Sequence, residues 1–524
     1  MRRMSACTHQ TTTPRTAIEA FQNLCAFAPW RLCAKSLRHR YGSDAPLEAR
    51  SFDCPCFLFG AHSPIKQQLG SHQFKTVHLR RHLLPLGLLA VILVSTSAPA
   101  KSLTDIQLDQ FHPLLVPKTT RLLLKSNDRL AICGDSITEQ KMYSRIIEDY
   151  LTVCVPELKV SVRQYGWSGE KAPGFLARMT NDCLRFQPTI ATTCYGMNDF
   201  EYRPYAERIG QTYQQNSTAI VEAFKTHGAR VILGSPGCVG KVPPWARATN
   251  DTVENLNLSL CRLRNMDIEI ARREKVGFAD VFWPMLTDGI AAQENYGVNY
   301  GIAGADGVHP HWAGHTVMAY AFLKAMGLNG EIGTFTVNLR TGHLKVSPGH
   351  EVISAKDGSF VVKSRRYPLC PCLESGQAAA SYPVCGQDYL QDDNSIRSGM
   401  ALVPFNRDLN RLMLVAKHGQ AACYLVTWGN QGKVYTAEQL AQGINLAGEF
   451  PCNPFCEAFA MVDAAVAAKQ AYETKQIKEL FRSPEAARNM DAVVAGSEKE
   501  RERLVAAIQA AFVPVTHTIK IVPQ

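Results

Sequence analysis

The chain has 524 residues, 46% of them hydrophobic and 19% charged, with a formal net charge of +10. That balance excludes a disordered polyelectrolyte and a bundle of membrane helices, and the length allows two or three domains with a sizeable core. The charge raises nucleic acid as a partner, but residues 1–100 hold 12 Lys and Arg against 4 Asp and Glu, and the other 424 hold 44 against 42, so the body makes no such case.

The first segment with a pattern is residues 75–100, which read as a signal peptide. His78, Arg80, Arg81 and His82 form a basic cluster, Leu83–Val94 carry no charge, and Ser95–Ala100 are small. This apolar run is 12 residues, whereas a spanning helix needs about 20. Ala98-Pro99-Ala100 fits an A-x-A cleavage site, which predicts maturation at Lys101 and export to the periplasm or beyond. Pro85 and Gly87 disfavour the competing reading, a buried core helix; Arg80-Arg81 also permits a twin-arginine route. A signal peptide begins near an N-terminus, so residues 1–74, which show no sustained periodicity, read as an upstream extension of the gene model. Cleavage leaves 12 of the 17 cysteines, and an exported chain can oxidise them. Cys370, Cys372 and Cys385 lie close together, and so do Cys452 and Cys456. A C-x-C pair without a matching second pair is a weak zinc signal, so disulfides or buried thiols are the favoured reading, with no metal and no cofactor expected.

After a lead-in over 101–124, the stretch 125–330 alternates strand and helix patterns. Strands are expected at 130–133, 159–164, 189–195, 230–233 and 276–281, and helices at 139–151, 173–185, 205–226, 251–274 and 311–326. Five strands alternating with helices predict an α/β fold, a parallel sheet covered on both faces, with chemistry beyond the carboxyl ends of the strands. The stretch 331–450 reads as a β-rich accessory region, with an Asp357-Gly358 hairpin turn. The stretch 451–524 reads as helical, broken near Pro484 and Gly496, with a closing strand at 516–522.

Each strand end carries something a hydrolase uses. Gly134-Asp135-Ser136 follows the first strand and precedes a helix, where free backbone N–H groups favour negative charge on a nucleophile; an N-cap serine is the plainer alternative. Asp306-Gly307-Val308-His309 supplies a base and its orienting carboxylate three residues apart, the role logic of a Ser-His-Asp triad. His311 and His315 are rival bases, read as packing or capping residues. Gly169 and Asn198, after the second and third strands, are candidate oxyanion donors, although Gly and Asn also favour turns. The G-x-S-x-G elbow of lipases is missed, because Gly169 directly follows Ser168.

These residues together resemble the four blocks of the SGNH, or GDSL-type, hydrolases: Gly134-Asp135-Ser136, Gly169, Gly196-x-Asn198-Asp199 and Asp306-x-x-His309. The resemblance covers about residues 125–328 and implies a flavodoxin-like three-layer α/β/α fold with metal-free ester hydrolysis. It makes Ser136 the nucleophile, His309 the base and Asp306 its orienter. Gly169 and Asn198 join the Ser136 N–H as oxyanion hole. Glu170 stands where many members carry Asp, a change expected to affect local hydrogen bonding more than catalysis.

The expected substrate is a small-molecule or polysaccharide ester. Tyr165, Trp167, Tyr195, Tyr202 and Trp245 fall near strand ends and could stack on sugar faces or simply pack the rim. Export and the added β-rich region favour carbohydrate O-acetyl groups; a lipid or general carboxylester hydrolase and a non-catalytic carbohydrate-binding protein are the alternatives. No nucleic-acid partner and no stable membrane span after cleavage are expected.

Overall fold

The central sheet is made of five short parallel strands: β1 (Arg129–Gly134), β2 (Ser161–Gln164), β3 (Ile190–Cys194), β4 (Arg230–Gly234) and β5 (Gly277–Ala279). The computed structural model describes residues 108–246, 251–371 and 390–524; the leader, the stretch 1–74, Cys372 and Cys385 lie outside the described residues. Every residue of β3 is buried, as befits a central strand that meets helices on both faces and hydrogen-bonded neighbours on both edges. The strand order is β2-β1-β3-β4-β5, the flavodoxin-like doubly wound order, whose switch point lies between β1 and β3.

Between the strands run α1 (Ser136–Glu139), α2 (Tyr143–Val153), α3 (Ala172–Asp182), α4 (Glu207–Thr226), α5 (Val253–Glu274), α6 (Phe282–Tyr296) and α7 (Trp312–Ala325). Helices α2 and α7 pack together, and α3, α4 and α5 pack in series, which covers the sheet on both sides. Two elements differ from expectation. The segment expected as one helix over 139–151 is broken: a single turn starts at Ser136, and α2 begins at Tyr143 after Lys141 takes a positive φ of 59°. Helix α6 was not legible, because Pro284 and Gly289 look like breakers. Pro284 sits in the first turn, where no backbone N–H is needed, and a Cβ on Gly289 would meet Ile302 Cγ2 at 2.6 Å, so glycine permits close packing there.

Among the described residues beyond 330 lie nine more strands: β6 (Glu331–Asn338), β7 (Leu344–Val346), β8 (His350–Lys356), β9 (Ser359–Ser364), β10 (Arg411–Lys417), β11 (Cys423–Trp428), β12 (Gln431–Thr436), β13 (Ile444–Asn445) and β14 (Val515–Pro523). They form two sheets, β13-β10-β6-β7 and β12-β11-β14-β9-β8. Asp357 and Gly358 have φ of 52° and 72° at the β8–β9 turn, the paired positive angles of a type I′ hairpin. The region is less purely β than expected. It also holds α8 (Ile396–Leu402), α9 (Phe405–Asp408), α10 (Ala437–Gln442) and α11 (Leu446–Glu449). Then come α12 (Cys456–Lys478), α13 (Pro484–Arg488) and α14 (Met490–Ala511). The helical pattern breaks before Pro484 as expected. It does not break at Gly496, which lies inside α14 with open space around its Cβ position. Cys370 and Cys456 are both buried and in contact.

Helices α12 and α14 cover the exposed edge of the hydrolase sheet. Among the described residues strand β2 pairs only with β1, and an uncovered edge leaves N–H and C=O groups unpaired. Here the Val162 carbonyl accepts from Lys469 Nζ at 2.6 Å and Arg501 at 2.9 Å, and Gln164 N–H donates to Glu473 at 3.0 Å. Lys469 also bridges Glu148 and Glu473, both at 2.9 Å. No helix among the described residues is long and apolar enough to cross a membrane.

A buried polar chain joins the two accessory sheets. Trp428 Nε1–H donates to His517 Nδ1 at 3.0 Å, which leaves the proton of His517 on Nε2, facing Ser364 Oγ at 3.0 Å. Ser364 lies 2.8 Å from His350 Nδ1, and His350 Nε2 faces the Ile332 carbonyl at 3.2 Å. This run of bonds is satisfied only with both imidazoles neutral. Burial pushes the His517 pKa from 6.5 down to about 3, with His350 nearby adding to the effect. The unfolded state therefore binds this proton first, so the contribution is fully present above pH 6.5 and is lost as pH falls toward about 3. Denaturant titrations at stepped pH are expected to show a shallower stability loss over this window in His517→Gln than in wild type. Equal slopes would exclude the neutral-histidine chain as the cause.

Candidate active site

The nucleophile candidate is set by a strand-to-helix turn with no room for side chains. A Cβ on Gly134 would meet Thr138 Oγ1 at 2.0 Å, and one on Gly166 would meet the Glu139 backbone N at 2.2 Å. Asp135, not Ser136, caps the helix: its Oδ1 accepts the Ile137 N–H at 3.0 Å. Burial pushes the Asp135 carboxyl up to about 7, opposed by that bond. Ser136 is thereby free of capping duty. It is the first helical residue, half-buried, with its Oγ 2.8 Å from His309 Nε2.

The base candidate, His309, comes from the loop before α7. Gly307 has φ +81°, and a Cβ there would meet the Lys241 backbone N at 2.7 Å, so only glycine fits the turn. Asp306 Oδ1 accepts the N–H groups of Val308 and His309, both at 2.8 Å, while its Oδ2 lies 2.7 Å from His309 Nδ1. The tautomer assigned from this network has the proton on Nδ1 and leaves Nε2 as an acceptor toward Ser136. Partial burial pushes the Asp306 pKa up, but the bonds from His309 and Val308 outweigh it and hold the carboxylate below its ordinary range. The rival histidines are otherwise engaged. His315 is fully buried between the Tyr143 N–H and Gln140, and burial pushes its pKa down to about 3. His311 pairs with Asp393 at 3.0 Å.

The candidate oxyanion donors, Gly169 and Asn198, lie in the loops after β2 and β3. Gly169 has φ +73° with open space around its Cβ position, so backbone conformation alone calls for glycine. Asn198 Nδ2 donates one hydrogen to the Glu170 carbonyl at 3.1 Å, and its Oδ1 accepts from Tyr202 OH at 3.1 Å. Those two bonds set the amide orientation and leave the second Nδ2 hydrogen for a ligand. Asp199 ties the loop to α3 by accepting Gly196 N–H at 3.0 Å and Ala172 N–H at 2.9 Å.

Glu170 has a defined place. Its carboxylate takes Arg178 in a two-pronged pair at 2.6 and 2.7 Å and accepts from Tyr195 OH at 2.9 Å. Of the aromatic residues expected near the strand ends, Tyr165 and Tyr195 are core, 1% and 3% exposed, and Tyr195 packs against Phe175 of α3 and Tyr213 of α4. Trp245 is 42% exposed, with its ring centroid 6.0 Å from His309 and edge-on to Tyr202 at 5.8 Å. A cavity of about 700 Å³ borders the base loop at Gly304, Ala305 and His311 but includes none of Ser136, Asp306 or His309. Sequence reasoning did not find Glu139, Arg178, Asp393 or Lys478. Glu139, Asp393 and Lys478 act through partners distant in the chain, and Arg178 reads locally as a solvated helix charge, so none carries a local signal.

A doubly wound α/β/α domain with a Ser–His–Asp relay at the carboxyl ends of its strands defines a serine ester hydrolase. Residues 132–317 match the model of the GDSL-like lipase/acylhydrolase family, and the chain carries a hydrolase domain of that family. Among solved structures, a gut microbial diltiazem-metabolizing enzyme, BT4096, aligns with a TM-score of 0.60 at 22% identity, over 78% of this chain and all of its own. That likeness of fold exceeds the hydrolase domain in length, so it takes in part of the appended region. An acetylxylan esterase from Geobacillus stearothermophilus aligns at 21% identity over 40% of this chain and 97% of its own, with a TM-score of 0.32. An alpha/beta hydrolase from the metagenome of Lake Arreo, Spain, aligns at 21% identity over 39% and 98%, with a TM-score of 0.31. No curated protein matches the chain.

Proposed function

We propose that this protein is an exported esterase that removes O-acetyl groups from carbohydrates, with Ser136 as nucleophile. His309 Nε2 takes the Ser136 proton as Oγ attacks the ester carbonyl. The Ser136 and Gly169 N–H groups and Asn198 Nδ2 receive the oxyanion. Collapse expels the sugar alkoxide, which the protonated His309 neutralises, and water taken through the same base hydrolyses the acetyl-enzyme.

The observation that carries the carbohydrate reading is Trp245. An exposed indole beside the base offers a flat face for a sugar ring, and Tyr202 braces it while also holding Asn198. The basic, apolar and small segments of residues 75–100 support export.

The test is acetate release from a panel of acetylated polysaccharides, with phospholipid and triglyceride controls, for wild type and Trp245→Ala. The expected result is polysaccharide preference in wild type, and in the variant a KM for polysaccharide raised by about tenfold, with turnover of a small aryl acetate little changed. Preference for the lipid controls, or an unchanged KM, would overturn the carbohydrate assignment.

A further inference from the structure

The loop that carries Gly169 is gripped by the region appended after the hydrolase domain. Lys478 Nζ, at the end of α12, donates to both carboxylate oxygens of Glu139 at 2.7 and 2.9 Å. Glu139 stands three residues after Ser136 and accepts the N–H of Ser168, the residue before Gly169. Four residues beyond Lys478, Arg482 takes Asp182 with two prongs, at 2.9 and 2.5 Å. Asp182 also contacts Arg178 at 3.4 Å. Arg178 in turn holds the carboxylate of Glu170 and, at 2.7 Å, the Tyr165 carbonyl, which opens the same loop. The Glu170 carbonyl receives Asn198, so this relay ends on the side-chain oxyanion donor. Between the two lines stands Trp167, with the cations of Arg178, Lys478 and Arg482 at 5.0, 5.3 and 5.4 Å from its ring centroid. Within the hydrolase domain the loop is also held by the Trp167 N–H to the Gly134 carbonyl at 3.0 Å and the Tyr165 N–H to the Ile132 carbonyl at 2.8 Å, besides the bonds of Glu139, Arg178 and Asn198.

We infer that Lys478 and Arg482 are positioning residues for the oxyanion hole. Through Glu139, Asp182 and the Trp167 ring they hold loop 165–170 so that the Gly169 N–H and Asn198 Nδ2 meet the developing charge. The inference rests on the serine esterase reading, not on the carbohydrate substrate, and gives the appended helices a part in the chemistry. Misplacing a group by about 1 Å costs on the order of a hundredfold in rate. Ground-state binding uses these donors less than the transition state does.

Full-length wild type, Lys478→Met, Lys478→Arg and a Lys478→Met/Arg482→Gln double variant are titrated with a fluorophosphonate to count active sites, then assayed on 4-nitrophenyl acetate. The expected result for the double variant is a kcat per titrated site lowered by about tenfold to a hundredfold, with KM within about twofold. Lys478→Arg recovers most of the rate, because it keeps a cation on Glu139 and Trp167. Combining Glu139→Gln with Lys478→Met costs no more than either change alone, since both cut the same line. Both side chains are partly exposed, at 30% and 35%, so truncation opens no core cavity, and Lys478→Met alone carries the test if the double variant does not fold. The inference is overturned if kcat per titrated site stays within about threefold of wild type. It is also overturned if only the number of titratable sites and the melting temperature fall. A wild type that the fluorophosphonate does not label overturns the esterase reading itself, and this inference with it.

Discussion

Replacing Ser136 with alanine is expected to abolish fluorophosphonate labelling and to lower kcat on a small aryl acetate by about 10⁶, the scale seen when a triad nucleophile is removed. Ser136 Oγ lies 2.8 Å from His309 Nε2, and the Asp306 carboxylate holds the other nitrogen of that ring. The hydroxyl serves no capping bond, since Asp135 caps the helix. The variant should therefore melt as wild type does, which separates lost chemistry from lost fold. Retained turnover would sink the assignment of the nucleophile.

The second large effect is expected from Asp306→Asn, a loss of about 10⁴ in kcat. The geometry explains why an isosteric change does so much. One oxygen of Asp306 accepts two backbone N–H groups, and the other accepts from His309 Nδ1. An asparagine can keep its oxygen on the backbone pair only by turning its NH₂ toward Nδ1. That forces the imidazole proton onto Nε2, where it faces Ser136 and cannot accept from it. Because the backbone bonds survive, the loop stays folded and the effect reads out as chemistry. Kinetics on the aryl acetate, together with an unchanged circular dichroism spectrum, check it; a loss below about tenfold would show that Asp306 does not set the tautomer.

The site is braced on two sides by chain that lies outside the hydrolase domain. Asp393 accepts from Gly301 N–H at 2.9 Å, receives Ala313 N–H on its carbonyl at 3.0 Å and pairs with His311, so it pins both ends of the loop that carries Asp306 and His309. Lys478 and Arg482 do the same for the oxyanion loop. The described residues of the hydrolase domain and the appended region lie within one compact unit. The buried ion pairs around Lys469 join them along the edge of β2. Breaking one partner of such a pair leaves an uncompensated buried charge, so the two parts hold each other in place.

The central sheet and the candidate site blocks were legible in the chain's own pattern. Short β-branched and apolar runs alternate with amphipathic stretches, and a buried parallel strand tolerates little else, so β1 to β5 were legible to within a few residues. Ser136, Gly169, Asn198, Asp306 and His309 were legible because each sits in a turn whose glycine or short polar residue is required by backbone geometry. Tertiary structure decided the rest. Whether Tyr165 and Tyr195 line the rim or the core depends on which helices cover their strand ends, and the periodicity of the strand is the same either way. Pro284 and Gly289 disguise α6 because their fitness there depends on a first turn and on Ile302. Above all, Lys478 finds Glu139 across 339 residues of chain. A lysine on a helix reads locally as a solvated charge, and only the packing of α12 against the edge of the hydrolase sheet makes it a neighbour of the helix that carries Ser136.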